Sequence, residues 1–499
     1  MKSWNRWCGN TDDNDLPPPR SVENVIKYLE DAFAEFRSCF QRVEAYHWFV
    51  MLTLGFMIRD DTLGVTSVIR ALALPPSCYE PMLHFFYSKA WSLPGIRQCW
   101  YGIVRDSGLI LKVDGRLVLA GDGVKQSKEA FYMPGVKKLH QESEDSSKGS
   151  YIFGHLFGAV GAVITTATDT FCLPLMMSIQ EGLAEAADWE NSTISAESHV
   201  LQMIRNGFDI AAAMGPSILL LDRYFLTRPA IRLLDELNLK QGRKLDLVTK
   251  AKRNAAGYEK PPAKLPGQKG RPRKKGDAVG LWNLFEQTSL FQEADVHVYG
   301  KQAKAQFLCR DLLWGPGLYR ELRFVLVVLD GVKSILVSSD TGLTPVQIIE
   351  LYARRFRIEN CFREFKQQIG GFAYHFWTKS IGRLNHFKKK EEPNQIGLVT
   401  DGKKRDRVLL KVRAIECFVQ LCCIAMGLIQ LLSFREQNNK NLLSIRYLRT
   451  VRRKTASEAT VRYYLYQRLF PLLALCPDTP IMQIIQKARH PRKQREPVA

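Results

Sequence analysis

The chain of 499 residues carries 71 lysines and arginines against 50 acids, a net charge of +21, and 46% of it is hydrophobic. That apolar content excludes a disordered tail and suffices for two or more domains, and the basic excess, spread along the whole length, calls for a polyanionic partner. Eleven cysteines without a C-x-x-C pair read as reduced core thiols in a cytoplasmic protein and make a zinc site improbable.

Nucleic acid fits this charge better than a membrane surface. The opening MKSWNRWCGNTDDND has no apolar core of a signal segment. Of the two apolar stretches, 151–167 contains His155 and several glycines, and 415–432 contains Glu416, Gln420 and Gln430. A buried strand and a buried helix are expected there, with no membrane span.

In chain order, Val22, Ile26, Leu29, Phe33, Phe36 and Phe40 recur at gaps of four and three behind Ser21 as N-cap, which predicts an amphipathic helix. Further helices are expected over 46–58 and 62–72 and after Ser77 and Pro94, so that 20–110 is all-helical. Within it, DDTLGVTSVIRAL and SCYEPMLHFF have the look of a helix-turn-helix reader, with plain helical packing as the alternative. From Gly115, the runs GRLVLAGDG, YIFGHLFGAVGAVI and TFCLPLMM predict three strands, followed by a helix over 195–214, the short strand SILLLD and a helix over 227–237. That alternation implies a layered α/β core.

Residues 250–275 hold ten lysines and arginines, four prolines and one acid, a solvated basic excursion. Inside it Gly270-Arg271-Pro272 resembles an AT-hook, with Arg271 and Arg273 as minor-groove contacts, and a basic linker fits the same residues. VHVYG, AQFLC, RFVLVVLD and KSILVSSD read as strands, Asp330-Gly331 as a hairpin turn, and 344–368 as one long helix. The remainder is helical, with a basic loop at 388–407, an apolar helix at 408–434, and the basic segments RYLRTVRRK and ARHPRKQRE.

The chemistry concentrates in LYARRFRIENCFREFKQ. On an ideal helix Tyr352, Arg355, Glu359 and Lys366 fall within an arc of about 60°, an aromatic hydroxyl, two cations and a carboxylate on one face. An exposed helix with an Arg355–Glu359 ion pair is the plain alternative. Two aspartates weigh against it: Asp122 ends RLVLAGD and Asp222 ends SILLLD, so both are expected at the carboxyl edge of short strands, where open α/β sheets bind ligands. Three carboxylates supply the hard oxygen donors that magnesium takes. Lys125, Arg223 and Tyr224 follow the aspartates closely enough to meet phosphates, and His155 reads as a hydrogen-bonded core histidine. Asp330, a rival third ligand, is set aside by its turn setting.

The run YARRFRIENCFREFK matches Y-x2-R-x3-E-x6-K at every position. With LAGDGVKQSK around the first acid, LLLDRYF around the second and the long interval before Glu359, the chain resembles the cut-and-paste DDE transposases of bacterial insertion sequences that carry the Tyr-Arg-Glu-Lys signature. The resemblance implies an α/β RNase H-like catalytic core, a mixed sheet flanked by helices, with a β-rich insertion and helical N- and C-terminal parts. Expected divisions are a helical DNA-binding part (1–110), the first core segment (111–250), the basic β-rich insertion (251–340), the second core segment (341–385) and a helical basic region (386–499).

It further implies Asp122, Asp222 and Glu359 as catalytic ligands of two Mg2+ ions, for which Mn2+ substitutes. Tyr352, Arg355 and Lys366 would grip phosphates of double-stranded transposon ends in a synaptic homodimer in the bacterial cytoplasm. The family's tryptophan before the catalytic helix is missing here, where Lys333, Ser334 and Ile335 stand, and Trp314 on a neighbouring strand is its expected replacement. Two rivals predict DNA binding without cleavage, or hydrolysis without joining of ends.

Overall fold

A computed structural model describes residues 19–128, 130–141, 149–166, 169–263, 270–385, 394–446 and 454–490. Five helices come first: α1 (Pro19–Glu35), α2 (Val43–Ile58), α3 (Val65–Ala71), α4 (Tyr79–Tyr87) and α5 (Leu93–Asp106). Their aromatic side chains form the local core, with Phe36 and Phe49 rings 4.8 Å apart and Phe85 stacked on Trp91 at 4.8 Å. Ser21 lies inside α1 instead of capping it, because the helix already includes Pro19, whose fixed φ and missing N–H suit a first turn. Ser77 sits in a 3-10 turn (Pro76–Cys78) that leads into α4, and α5 is capped by Ser92, whose hydroxyl accepts from the Gly95 N–H at 3.2 Å.

The sheet strands follow: β1 (Lys112–Val113), β2 (Arg116–Ser127), β3 (Lys137–His140), β4 (Tyr151–Thr165), β5 (Thr170–Ile179), then α6 (His199–Met214), β6 (Ser217–Leu220), α7 (Arg228–Gln241) and β7 (Leu245–Lys250). β5, β4 and β2 form an antiparallel meander, and β2, β6 and β7 run parallel in that order. A mixed sheet with helices against it, in this order, is consistent with an RNase H-like core. Sequence reading passes over β7, because its LDLVTK lies between basic flanks; its first five residues are nonetheless buried beside β6.

Beyond β7 the sheet continues through β8 (Ala256–Tyr258), β9 (Ala278–Gly280), β10 (Gln292–Val298), β11 (Lys301–Trp314), β12 (Arg320–Leu329) and β13 (Val332–Ser338). β13 pairs antiparallel with β7 and carries the sheet outward to β12 and β11. Asp330 and Gly331 join β12 to β13 with φ of 47° and 76°, the two left-handed residues of a tight hairpin turn. Leu281, Phe285, Leu312, Leu322 and Phe324 make a second, smaller core here. The basic excursion is tethered at its end by Lys275, whose ammonium lies 3.8 Å from the centre of the Tyr258 ring.

The helix expected over 344–368 is three pieces: α8 (Pro345–Arg354), α9 (Arg357–Glu364) and a π turn (Phe365–Ile369). The break is a tightening, since Arg355 N bonds to Tyr352 O and Ile358 N to Arg355 O, three residues back. The last helices are α10 (Gly402–Arg435), α11 (Lys440–Ser444), α12 (Glu458–Leu475) and α13 (Pro480–Arg489). α10 begins inside the expected basic loop, because Asp401 caps it by accepting from Lys404 N at 2.8 Å. It is long and apolar enough to cross a membrane, yet its apolar window is wholly buried, packed on β5, α2, α4 and α12. Residues 388–393 of that loop, 447–453 of RYLRTVRRK and 491–496 of ARHPRKQRE lie outside the described residues. One continuous apolar core runs from Val25 in α1 through the sheet to Ile485 in α13.

Candidate active site

Asp122 does not end its strand: β2 continues to Ser127, paired with β4, and Asp122 faces Ala159 in that register. What ends near it is the parallel pairing, whose last partners are Ala120 and Leu220. Asp122 therefore stands just past the carboxyl edge of the parallel strands while held by an antiparallel neighbour. Asp222 stands two residues beyond β6 and is fixed through its carbonyl, which accepts from Phe225 N and from the Thr249 hydroxyl, both at 3.0 Å. Glu359 is in the first turn of α9, with 45% of its side chain exposed.

Arg355 ties these elements together. One guanidinium nitrogen donates to Asp122 Oδ2 at 3.0 Å and the other to Glu359 Oε1 at 2.6 Å. The ion pair of the plain reading thus exists, but it is half of a bridge to β2. The other Asp122 oxygen, Oδ1, accepts from the Gly123 N–H at 2.7 Å. Burial pushes the Asp122 carboxyl up to about 6; Arg355 and the Gly123 N–H pull it down, and the charges of Asp222 and Glu359 raise it further. Asp122 therefore feels both of the other acids. Among the described residues no three acidic, imidazole or thiol side chains gather closely enough to hold a metal ion as they stand; two of these carboxylates are bridged by the guanidinium. As donors the three fit a hard divalent cation, carboxylate oxygens in a partly desolvated, negatively crowded site.

Tyr352 lies half-buried beside Arg355, its phenol pushed up to about 12 by burial while Arg355 pulls the other way. Lys366, in the π turn, donates to the Lys125 carbonyl at 3.3 Å, and desolvation draws its ammonium below the usual lysine value. Lys125 itself is exposed and donates to the His140 carbonyl at 2.6 Å. Arg223 is exposed and joins no ion pair among the described residues, and Tyr224, 57% exposed, stacks on His199 with centroids 6.1 Å apart. His155 is fully buried between the Tyr374 hydroxyl (2.6 Å) and the Pro134 carbonyl (2.8 Å), and burial holds it near 4. Arg271 and Arg273 lie exposed outside any strand, apart from the acids in sequence and sheet order.

Three neighbours escape sequence reading. Lys250, at the end of β7, lies within the field of Asp222, Arg223 and Arg355, its ammonium lowered chiefly by burial. The alternation of strand and helix through β6, α7 and β7 was the signal for it. His199, buried at the start of α6, packs so close to β2 that a side chain on Gly123 would come within 2.9 Å of its Nε2. Trp314 is half-buried, packed against both cores. The exposed ring in the field of Tyr352 is Tyr299, at the tip of the β10–β11 hairpin, which is fastened to α8 by His297 N donating to Glu350 Oε1 at 2.7 Å.

Residues 180–378 match the family described as a transposase DDE domain. The matched stretch contains Asp222, Tyr352, Arg355, Glu359 and Lys366, and Asp122 precedes it. No curated protein matches the chain. The match supports a DDE transposase, an enzyme class that acts on DNA and generally uses divalent metals.

Proposed function

Taking the transposase DDE domain as premise, we propose that the chain is a cut-and-paste DNA transposase of the Tyr-Arg-Glu-Lys group. It binds the terminal inverted repeats of its element, cleaves there and transfers the 3′-hydroxyl ends into target DNA. The observation that carries this reading is the Arg355 bridge, which brings Asp122 of β2 and Glu359 of α9 to one point at the carboxyl edge of the parallel strands, within the field of Asp222.

Asp122, Asp222 and Glu359 would hold two magnesium ions, with manganese able to replace them. Such ions, when bound, activate the attacking oxygen and stabilise the leaving oxygen of an in-line phosphoryl transfer. The rest is the work of the chain. Tyr352, Arg355 and Lys366 present a hydroxyl and two cations to phosphates of the transposon end. Lys125, Arg223 and Lys250 extend that grip along the sheet edge, and Arg271 and Arg273 add affinity by charge. Residues 1–110 recognise the end, 111–250 and 341–385 form the catalytic core interrupted by the insertion 251–340, and 386–499 complete the DNA-holding surface. Two copies work on paired ends in the bacterial cytoplasm. A hairpin intermediate belongs to this reading, with Tyr299 as the ring available to stack on a displaced base.

The test is product analysis. Labelled duplexes bearing the candidate terminal repeats are incubated with the protein, a plasmid target and Mg2+ or Mn2+. Nicks, hairpins and joined products are expected; hydrolysis with no joined product would reduce the protein to a nuclease.

A further inference from the structure

Arg355 is more than a phosphate contact held in waiting. Its two terminal nitrogens engage two carboxylates on different elements, and its side chain is only 14% exposed. A guanidinium stays charged at any physiological pH. Both Asp122 oxygens are engaged: Oδ1 accepts the Gly123 N–H and Oδ2 the Arg355 guanidinium. The backbone contact is fixed by the strand, and a divalent cation at Oδ2 would meet the positive guanidinium there, so cation and Arg355 compete for this carboxylate.

We infer that Arg355 is an exchangeable internal counter-cation, which pairs Asp122 with Glu359 in the DNA-free protein and must leave both before a divalent cation is held there. This positioning role rests on the metal-centre reading of the three acids. Once released, the guanidinium is an unpaired cation beside Tyr352, where a phosphate of DNA is its natural new partner. Cation entry and phosphate capture then favour one another, because each removes an obstacle to the other, and the coupling is reciprocal. The arrangement also keeps an empty acidic site from repelling itself.

Mn2+ binding to the full chain without DNA, followed by calorimetry or by the electron spin resonance of free Mn2+, tests the exchange. Arg355→Gln should bind Mn2+ at least about tenfold more tightly than the wild type, and the gain should vanish in the Asp122→Asn/Arg355→Gln double variant. Arg355→Lys, which keeps the charge but loses the two-pronged geometry, should fall between and serves if the glutamine variant does not fold. Equal or weaker binding in both Arg355 variants, with wild-type binding that depends on Asp122, would overturn the exchange and leave the metal centre standing. Absence of any Asp122-dependent binding in every variant would overturn the metal centre itself.

Discussion

The carboxylates of this protein sit in two opposite settings at the two edges of the parallel strands. At the carboxyl edge Asp122 is partly buried beside Asp222 and Glu359, and desolvation first and those charges second raise it to about 6. At the amino edge Asp340 is paired with Arg116 at 2.7 Å and Arg243 at 2.9 Å, and Asp246 joins both arginines. Asp340 consequently falls to about 2 from 3.8, burial opposed and outweighed by a backbone N–H and the two arginines. A carboxyl lowered in the folded state stabilises fully above its unfolded value and loses that contribution as pH falls toward its folded value. Denaturation of wild type and Asp340→Asn should therefore show a constant difference from pH 7 to about 4 that shrinks toward pH 2; a difference independent of pH would refute the pairing as its source. The Arg355–Glu359 half of the bridge was legible in the sequence, since spacing on a helix is local information. The second half of the Arg355 bridge was not, because it depends on β2 meeting α9 from 233 residues away.

At the scale of elements, the segment that carries Glu359 is held at its far end by the N-terminal helices. Arg59, fully buried at the end of α2, donates to the carbonyls of Ile369 and Gly370, where the π turn closes, and to Gly64 O and Ser67 Oγ at 3.1 Å. Gly370 takes φ +61° there, and a side chain on it would meet Thr62 at 2.4 Å. A buried arginine that satisfies helix-end carbonyls is costly to remove: each bond to a charged group contributes about 1.5–3 kcal/mol. Arg59→Met should lose about 3 kcal/mol of stability and speed amide exchange in α9 and the π turn; unchanged exchange there would show that the contact does not hold the helix. The regular strands and long helices of this fold follow from periodicity. The break at Arg355, the π turn and β7 did not, because tertiary contacts override the ideal 3.6-residue helix and the basic flanks hide a strand.

Over the whole molecule, the positive charge is an excess of 21 distributed on a fold whose first and last helices share one core with the sheet. DNA affinity should fall steeply with salt, since each neutralised phosphate releases counterions. If Arg271 and Arg273 touch phosphates or the minor groove, replacing each by alanine should flatten the logarithmic salt slope by about 1, measured by fluorescence anisotropy; an unchanged slope would make them a spacer. The helical start and the strands from Gly115 onward were readable from residue patterns, whereas the shared core of α2, α10 and α12 was hidden by their separation along the chain. One experiment is decisive above the others: cleavage of end-bearing duplex DNA in Mg2+ by the wild type and by Asp122→Asn, Asp222→Asn and Glu359→Gln. Cleavage is expected from the wild type and from none of the three variants, with duplex binding retained in all; cleavage surviving in any one of them would contradict the assignment of the three acids.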